Sequence, residues 1–317
     1  MKLMNAEEME EVIRKLYAPV RNFTYQSFHG YVLYSNFARY QKEIEDLQVY
    51  DDDVWVTSYP KSGTTWTQEM VWCICNDLDF EGAKQNIHER FPFIDFVQID
   101  DGVADLPKFL KPLEMLKEMP RPRFIKTHLP WDLLPKQIRT FEKRPKIIHV
   151  ARNPKDVCVS YYHHMKMFNV FLGNFEQQWQ LFINDKLVSS PFFKNVLSYF
   201  DRCDESNILF IKYEDLKKDL GKSVLQVAEF LGVDLSEDQV EKLKEHLSFE
   251  SMKNNKAVNH TEFIDYVRTA NPKCSGGEFI RKGKAGGYKE EMDEEVVKIF
   301  DEWIEANLSN TKLRFDC

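Results

Sequence analysis

The segment 59–66, with the sequence YPKSGTTW, brings one lysine, one glycine and three serine or threonine residues together. Small residues let an anion approach backbone N–H groups closely, and a lysine adds a full positive charge. If a helix begins in this segment, its unpaired N–H groups and the positive end of its dipole also attract an anion. This segment, here named the Lys61 turn, therefore predicts a binding site for phosphate or sulfate.

Two other interpretations of the Lys61 turn stay open on these residues alone. In a P-loop, Gly and four further residues precede Gly-Lys-Ser/Thr, whereas here Lys61 comes before Gly63. This order disfavours an ATPase or a nucleotide kinase. The segment can also be an ordinary surface turn in which Ser62 or Thr64 caps the helix that follows.

Other residues with useful chemistry follow further apolar runs of the chain. Lys126 and His128 come after one such run, Arg152 after the next and Tyr213 after a third. Each of them alone has a structural explanation, such as an ion pair between Arg152 and Asp156. Cationic and hydroxyl groups after every apolar run are better explained by one shared site.

The elements that must position these residues are predicted from hydrophobic periodicity. Apolar runs at 54–57, 123–127, 146–151 and 208–213 predict strands. Because helical patterns alternate with them, we expect a single α/β domain over 1–317, with a mostly parallel sheet flanked by helices. The carboxyl ends of parallel strands meet at one edge, where ligands bind in such folds. The predicted helices cover about 6–17, 66–74, 154–168, 174–187, 225–231, 236–246 and 290–307.

A second anion site is predicted from Arg152 and the residues after it. Asn153 followed by Pro154 favours a helix start, and Ser160 lies two turns further along that helix. The basic, glycine-rich segment 281–287 also suits a phosphate, and a solvated loop is its alternative.

The segment 77–122 lacks periodicity and is rich in proline and phenylalanine. Long irregular segments are often binding loops, so these phenylalanines predict an apolar pocket; packing under a loop is the alternative. The three aspartates at 51–53 predict a solvated turn before the first strand of the sheet.

Composition narrows the function classes. The 317 residues carry a net charge of −8, which does not favour a nucleic-acid-binding or membrane-surface protein. An anionic ligand must then be held by a local basic cluster. The N-terminus lacks a signal-peptide pattern, no apolar run reaches the length of a membrane span, and the six cysteines form no Cys-x-x-Cys pair. We expect free thiols, no metal and a cytoplasmic location.

Six segments, in order along nearly the whole chain, resemble the cytosolic sulfotransferase family, including its insect members. The Lys61 turn resembles the family's 5′-phosphosulfate loop, and KTHLP at 126–130 its catalytic segment. The segment 152–164, which begins RNPKD, resembles its 3′-phosphate motif. The remaining matches are KYEDL at 212–216, SFESMKNN at 248–255 and FIRKG at 279–283, which are similar to a family marker, an adenosine-side segment and the C-terminal cofactor loop.

The resemblance implies transfer of a sulfonate group from 3′-phosphoadenosine 5′-phosphosulfate (PAPS) to a hydroxyl or amine of a small molecule, which leaves the product PAP. It implies that His128 is the general base, that Lys61 stabilises the leaving phosphate and that Lys126 orients the acceptor oxygen. No metal is implied. The implied cofactor-binding residues are Lys61, Ser62, Gly63, Thr64, Thr65, Trp66, Arg152, Ser160, Tyr213, Ser248, Phe249, Met252, Phe279, Arg281, Lys282 and Gly283.

The expected acceptor pocket is apolar and aromatic, with Phe80, Phe91, Phe93 and Phe168 as its lining. It suits phenols, steroids or other lipophilic alcohols. A retinol-dehydratase-like enzyme, which acts through an unstable sulfate ester, is the alternative. A PAPS- or PAP-binding protein without catalysis is a third hypothesis. It is disfavoured because Lys61 and His128 are both present, and a protein that only binds needs neither.

Several departures from the family pattern affect these expectations. The sequence GGY at 286–288 replaces the usual Gly-Asp-Trp, and Leu247 replaces a threonine. The family's dimer motif, Lys-x-x-x-Thr-Val-x-x-x-Glu, is degraded at 289–298, which predicts a monomer or an alternative dimer. The adjacent His163 and His164 lack a third metal ligand, so we expect them in a structural role or in the pocket wall.

Overall fold

A parallel sheet of four strands and a separate antiparallel hairpin are present in the structure, a computed structural model that describes residues 3–17, 24–99, 107–270 and 277–315. The strands are Tyr25–Phe28 (β1), Tyr31–Tyr34 (β2), Val54–Thr57 (β3), Phe124–Thr127 (β4), Lys146–Ala151 (β5) and Ile208–Lys212 (β6). The hairpin pairs β1 with β2, and the sheet has the order β4-β3-β5-β6. The predicted α/β fold with a parallel central sheet is confirmed.

Helices cover the sheet and continue directly from three of its strands: β3, β5 and β6 lead into α3, α7 and α10. The helix bounds are Ala6–Leu16 (α1), Phe37–Glu45 (α2), Thr64–Cys75 (α3), Ile87–Arg90 (α4), Pro112–Glu118 (α5), Lys136–Arg139 (α6), Pro154–Met167 (α7), Phe175–Ile183 (α8), Phe192–Phe200 (α9), Tyr213–Lys218 (α10), Leu220–Leu231 (α11), Glu237–His246 (α12), Phe249–Asn254 (α13), Thr261–Ala270 (α14) and Glu294–Leu308 (α15).

Both faces of the sheet are buried. Val54 and Val56 of β3 join a core cluster with residues of α3 and α11, whereas Trp55 joins a cluster on the other face, with α2 and the hairpin. In β5, Ile148 joins the cluster of Val54 and Val56, and Ile147 joins the cluster of Trp55. Because successive side chains of a strand point to opposite faces, a sheet covered on both sides requires the nearly continuous apolar runs seen in the sequence.

The expectation of a solvated turn at 51–53 is wrong for Asp53. This carboxylate is fully buried, and the Arg123 guanidinium donates to it from Nε at 2.9 Å and from Nη2 at 2.6 Å. Asp51 and Asp52 are exposed, as expected. A buried carboxylate needs such a partner, because an unpaired charge is costly away from water.

Four cysteines are free thiols: Cys73, Cys75, Cys158 and Cys203. Cys274 and Cys317 lie outside the described residues. Within the described ranges, no helix combines the length and the apolar character that crossing a membrane requires.

Candidate active site

The Lys61 turn joins β3 to α3 through a left-handed glycine. Gly63 has φ +108°, and a Cβ atom at this position would lie 2.7 Å from the Tyr213 ring. Both the backbone conformation and the close ring therefore require glycine. Gly63 is also the N-cap of α3, so the alternative in which Ser62 or Thr64 caps this helix is wrong. Without a side-chain cap, the first N–H groups of α3 stay available to an anion.

Lys61 lies in the wall of a cavity of about 1070 Å³, beside several other cations. Its backbone is left-handed at φ +70°, and its Nζ lies 3.9 Å from the centre of the Phe279 ring. Burial, and then the charge of Lys126, lower the pKa of Lys61 to about 7. A bound phosphate would stabilise the charged amine at this position.

His128 lies in the same cavity wall, and one of its ring nitrogens is already hydrogen-bonded. Its Nδ1 lies 2.8 Å from the backbone carbonyl of Ser58. A carbonyl only accepts, so Nδ1 carries the proton and Nε2 has an open lone pair in the neutral ring. Burial, and then the charge of Lys126, hold the pKa of His128 well below its usual value. The neutral ring can therefore take a proton at Nε2.

Asp95 holds the backbone next to His128 by hydrogen bonds, a role that no sequence pattern predicts. This buried carboxylate accepts from the Thr127 hydroxyl at 2.6 Å and from the His128 amide at 3.1 Å. Burial raises the pKa of Asp95 to about 6, against these hydrogen bonds. On the other side of the segment, Asn195 donates to the His128 carbonyl at 3.0 Å. His128 is thus held by its backbone as well as by its ring.

Lys126 is the second lysine of the catalytic segment, and it is 5% exposed. Its Nζ lies 4.1 Å from the centre of the Phe93 ring, and burial lowers its pKa to about 8. Phe93 also meets the His128 ring edge to face, with 5.0 Å between the ring centres. One phenylalanine therefore contacts both groups that are expected to act on the acceptor.

Arg152 links the predicted second anion site to the Lys61 turn. Its guanidinium donates to the Lys61 carbonyl at 3.3 Å and to the Lys284 carbonyl at 2.8 Å. It also lies 3.6 Å from Asp156, so the ion pair weighed against a binding role is present as well. Ser160 lies in the cavity wall on α7, as its spacing predicts.

The basic segment at 281–287 folds over α7 and meets Asp156. The Asp156 carboxylate accepts from the backbone N–H groups of Gly286 at 2.7 Å and Tyr288 at 2.9 Å. Arg281 donates to Glu291 at 2.9 Å, and Lys282 to Glu290 at 2.6 Å. Arg281, Lys282 and Gly283 lie in the cavity wall.

The aromatic lining of the cavity agrees with the sequence only in part. Phe93 and Phe168 lie in its wall. The predictions for Phe80 and Phe91 are wrong, because Phe80 stacks on the His246 ring at 4.6 Å and Phe91 is fully buried in the core. Phe96, one of the phenylalanines of the segment 77–122 that predict a pocket, also lines the wall. Residues that the sequence did not identify line it as well: Phe263, Tyr266, His88, His260 and Asp95.

A further group of residues lines the side of the cavity that faces α10 and α13. Trp66, Tyr213, Phe249, Met252 and Phe279 lie in this wall, with Thr64 and Thr65 at the start of α3. Ser62 and Ser248 are not wall residues. The Ser62 hydroxyl is buried beneath the turn, and Ser248 instead caps α13 by accepting from the Ser251 amide. Gly283 is required here, because a Cβ would lie 2.4 Å from the Phe249 ring.

The described residues contain one cluster of possible metal ligands, Glu69, Cys73 and His246, and none of the three lies in the cavity wall. Arg90 donates to one Glu69 oxygen at 2.7 Å, and His246 lies 2.7 Å from the other. Both carboxylate oxygens are therefore already used in hydrogen bonds.

The sequence of the chain matches a known protein family. The model of the Sulfotransferase domain family matches residues 51–312. The chain belongs to the sulfotransferase family. The predicted family and enzyme class are confirmed.

Relatives of this sulfotransferase span nearly its whole length. Luciferin sulfotransferase of Photinus pyralis is 37% identical, and the match covers 98% of this chain and 86% of the relative. Sulfotransferase 1B1 of Mus musculus is 36% identical, with 90% and 93% covered. The crystal structure of retinol dehydratase in a complex with retinol and PAP has a TM-score of 0.87 at 34% identity, with 99% and 98% covered.

Proposed function

We propose that this sulfotransferase moves the sulfonate group of PAPS to a hydroxyl or amine of a lipophilic, often phenolic, acceptor, with His128 as the general base. One observation carries the proposal. The Nδ1 of His128 is bound to the Ser58 carbonyl, so Nε2 is the basic nitrogen in a cavity that also holds Lys61 and Lys126.

The residues at the Lys61 turn and Arg152 fit an anionic cofactor. Among the described parts of the chain, the Arg152 Nε is a buried donor without a hydrogen-bond partner, and Arg152 lies in the cavity wall. A buried polar atom without a partner is costly, and a bound anion would satisfy it. We assign the 5′-phosphate side to 61–66 and the 3′-phosphate side to Arg152, Ser160 and 281–283. Trp66, Tyr213, Phe249, Met252 and Phe279 suit the adenine side because they offer apolar and aromatic surface.

When bound, PAPS supplies the sulfonate group that is transferred. His128 takes the acceptor proton at Nε2, and Lys126 positions the acceptor oxygen. Lys61 and the free N–H groups of α3 stabilise the negative charge that develops on the phosphate side. A positioned general base contributes about 10²–10⁴-fold to a rate, and preorganised donors contribute a comparable factor.

The acceptor class follows from the lining near His128. Phe93, Phe96, Phe168 and Phe263 give this part of the cavity an aromatic wall, which suits phenols, steroids and other lipophilic alcohols. The relatives named for luciferin and retinol chemistry support ring-containing or polyene acceptors.

A retinol-dehydratase-like reaction is the second candidate, favoured by the fold similarity to retinol dehydratase over 99% of the chain. Elimination from a transient sulfate ester would then follow transfer. The cytoplasmic location and the absence of nucleic-acid and membrane partners stay predictions.

Product analysis tests the proposal and separates the two candidates. The enzyme is incubated with PAPS and a panel of phenols, catecholamines, steroids and retinol, and the products are identified by mass spectrometry. A stable sulfate ester supports the first candidate, and anhydroretinol supports the second. PAPS consumption without either product, across the whole panel, would contradict both.

A further inference from the structure

A chain of three hydrogen-bonding side chains runs from the Lys61 turn into the acceptor part of the cavity. The Thr65 hydroxyl lies 3.1 Å from Nε2 of His260, and Nδ1 of His260 lies 2.7 Å from Nε2 of His88. All three residues lie in the cavity wall. Thr65 and His88 lie 195 and 172 residues of chain before His260, so only the fold brings the three side chains together.

Both histidines are neutral. His88 is 3% exposed and His260 is 5% exposed. Burial lowers the pKa of His88 to about 3, and burial with the neighbouring His88 holds the pKa of His260 well below its usual value. A neutral imidazole has one N–H donor and one lone pair, so each ring in the chain must donate on one side and accept on the other.

The chain therefore has two possible directions. In the first, Thr65 donates to His260 and His260 donates to His88, which leaves an N–H on Nδ1 of His88. In the second, His88 donates to His260 and His260 donates to Thr65, which leaves a lone pair on Nδ1 of His88. Among the described residues, this Nδ1 has no hydrogen-bond partner. Its N–H or its lone pair is therefore open to a ligand in the cavity.

The cofactor selects between the two directions. An ionised phosphate oxygen only accepts hydrogen bonds. If a phosphate oxygen lies at the Lys61 turn, the Thr65 hydroxyl donates its one proton to that oxygen. Thr65 must then accept a hydrogen bond from His260. His260 in turn accepts from His88, and the lone pair appears on Nδ1 of His88.

We propose that His88 is a specificity-determining residue, whose Nδ1 accepts a hydrogen bond from a second hydroxyl or amine group of the acceptor, in a tautomer set through Thr65 and His260. The inference rests on the proposed placement of the cofactor's 5′-phosphate at the Lys61 turn. It assigns the acceptor class more narrowly: a lipophilic molecule with one group that reacts and a second donor group remote from it.

The rings around His88 make a clean test possible. Phe96, Phe109 and Phe263 surround it, with ring centres at 5.1, 5.7 and 6.1 Å. His88→Phe therefore keeps an aromatic ring among aromatic rings and removes only the polar nitrogens. His149→Phe is the matched control, because His149 is also fully buried and neutral but lies outside the cavity wall.

The first experiment compares the binding of 4,4′-biphenol with that of 4′-fluorobiphenyl-4-ol to the PAP complex, by titration calorimetry. Fluorine is close to a hydroxyl in size but donates no hydrogen bond. We expect the wild type and His149→Phe to bind the diol about fivefold or more tightly than the fluoro compound. This ratio exceeds the twofold statistical advantage that two equivalent hydroxyls give the diol. In His88→Phe the preference falls to the statistical value. An equal preference in all three proteins, or none in the wild type, overturns the proposal.

The second experiment reads the tautomer directly. Long-range ¹H–¹⁵N spectra of histidine-labelled enzyme are recorded with saturating PAP, and the His88 signals are assigned by their loss in His88→Phe. We expect the proton of His88 on Nε2; a proton on Nδ1 in the PAP complex overturns the proposal. Neither experiment requires turnover. Failure of the proposed function would appear separately, as the absence of labelled product from PAPS.

Discussion

At the scale of single residues, burial and neighbouring cations set the protonation states of the two main catalytic candidates in the free enzyme. His128 stays neutral because its surroundings are buried and cationic, and its bond to the Ser58 carbonyl fixes which nitrogen is basic. Lys61 has its pKa lowered by the same surroundings. An anion at the Lys61 turn reverses this effect for the lysine, since an opposite charge favours the charged amine.

Proton uptake on PAP binding follows from the pKa of Lys61. In the free enzyme this pKa is about 7, so at pH 8 most Lys61 amines are neutral. Binding of a phosphate raises the pKa, and the amine takes up a proton. Calorimetry at pH 8, in buffers of different ionisation enthalpy, measures the number of protons. At this pH the phosphates themselves are already ionised, because their second pKa is about 6.

Lys61→Arg is the control, because arginine stays charged in both states. We expect its proton uptake to be smaller than that of the wild type by a large fraction of one proton, with any uptake by Lys126 left in place. Equal uptake in both proteins, or net proton release in the wild type, would show that Lys61 does not titrate with the cofactor.

Local sequence identified the chemistry of several residues but not their surroundings. Lys61, Lys126, His128 and Arg152 stand in short segments with their own pattern, so they could be found. Asp95 and His88 acquire their partners from segments far along the chain. No periodicity or spacing marks such residues in advance, because the fold alone brings the partners together.

At the scale of elements, Asp156 joins α7 to the loop formed by the basic segment 281–287 and Tyr288. Its two carboxylate oxygens accept from two backbone N–H groups of this loop, at Gly286 and Tyr288. Arg281 and Lys282 of the same loop lie in the cavity wall. The order of this loop, and with it the second anion site, is therefore expected to depend on one carboxylate of α7.

Asp156→Asn should weaken PAP binding on the order of tenfold, because the amide replaces one acceptor with a donor that faces an N–H group. The affinity is measured by calorimetry, and the free energy of unfolding by urea denaturation. Asp293→Asn is the matched control: Asp293 also accepts from a backbone amide, Val296, but as the N-cap of α15, where asparagine serves equally well. An unchanged PAP affinity in Asp156→Asn would separate the loop from cofactor binding.

The central strands were predictable, whereas the outer elements were less so. The apolar runs of β3 to β6 follow from burial on both faces of the sheet. The hairpin β1-β2 and the helices α9 and α14 lie where the sequence predicts no element. Each hairpin strand has only four residues, too few for a clear alternation. Phe80 and Phe91 were placed in the pocket because composition alone does not tell which face of an element a ring occupies.

At the scale of the whole molecule, the degraded dimer segment at 289–298 turns two of its apolar side chains inward. Met292 and Val296 are buried in the chain's own core, as is Tyr288 directly before the segment. They are therefore not available to a second copy. A monomer or an alternative dimer stays the prediction for this chain.

Sedimentation velocity checks this prediction with a charge-reversal variant. Lys289 and Lys298 are exposed at the two ends of the segment. The double substitution Lys289→Glu and Lys298→Glu should leave the sedimentation coefficient unchanged, because no interface is expected there. If the wild type is a dimer that the substitutions dissociate, this surface is an interface after all.

The whole molecule also concentrates opposite charge where the cofactor is expected. The chain carries a net charge of −8, yet Lys61, Lys126, Arg152, Arg281 and Lys282 all lie in one cavity wall. An acidic protein with one basic cavity directs anionic small molecules to that cavity.

Transfer of labelled sulfonate by His128→Ala, measured together with PAP binding, tests the central claim most directly. The variant and the wild type are given ³⁵S-labelled PAPS and the best acceptor of the panel. We predict that transfer falls by about 10²–10⁴-fold, while the affinity for PAP stays within the error of the wild-type value. A variant that transfers sulfonate at the wild-type rate would contradict the assignment of His128 as the general base.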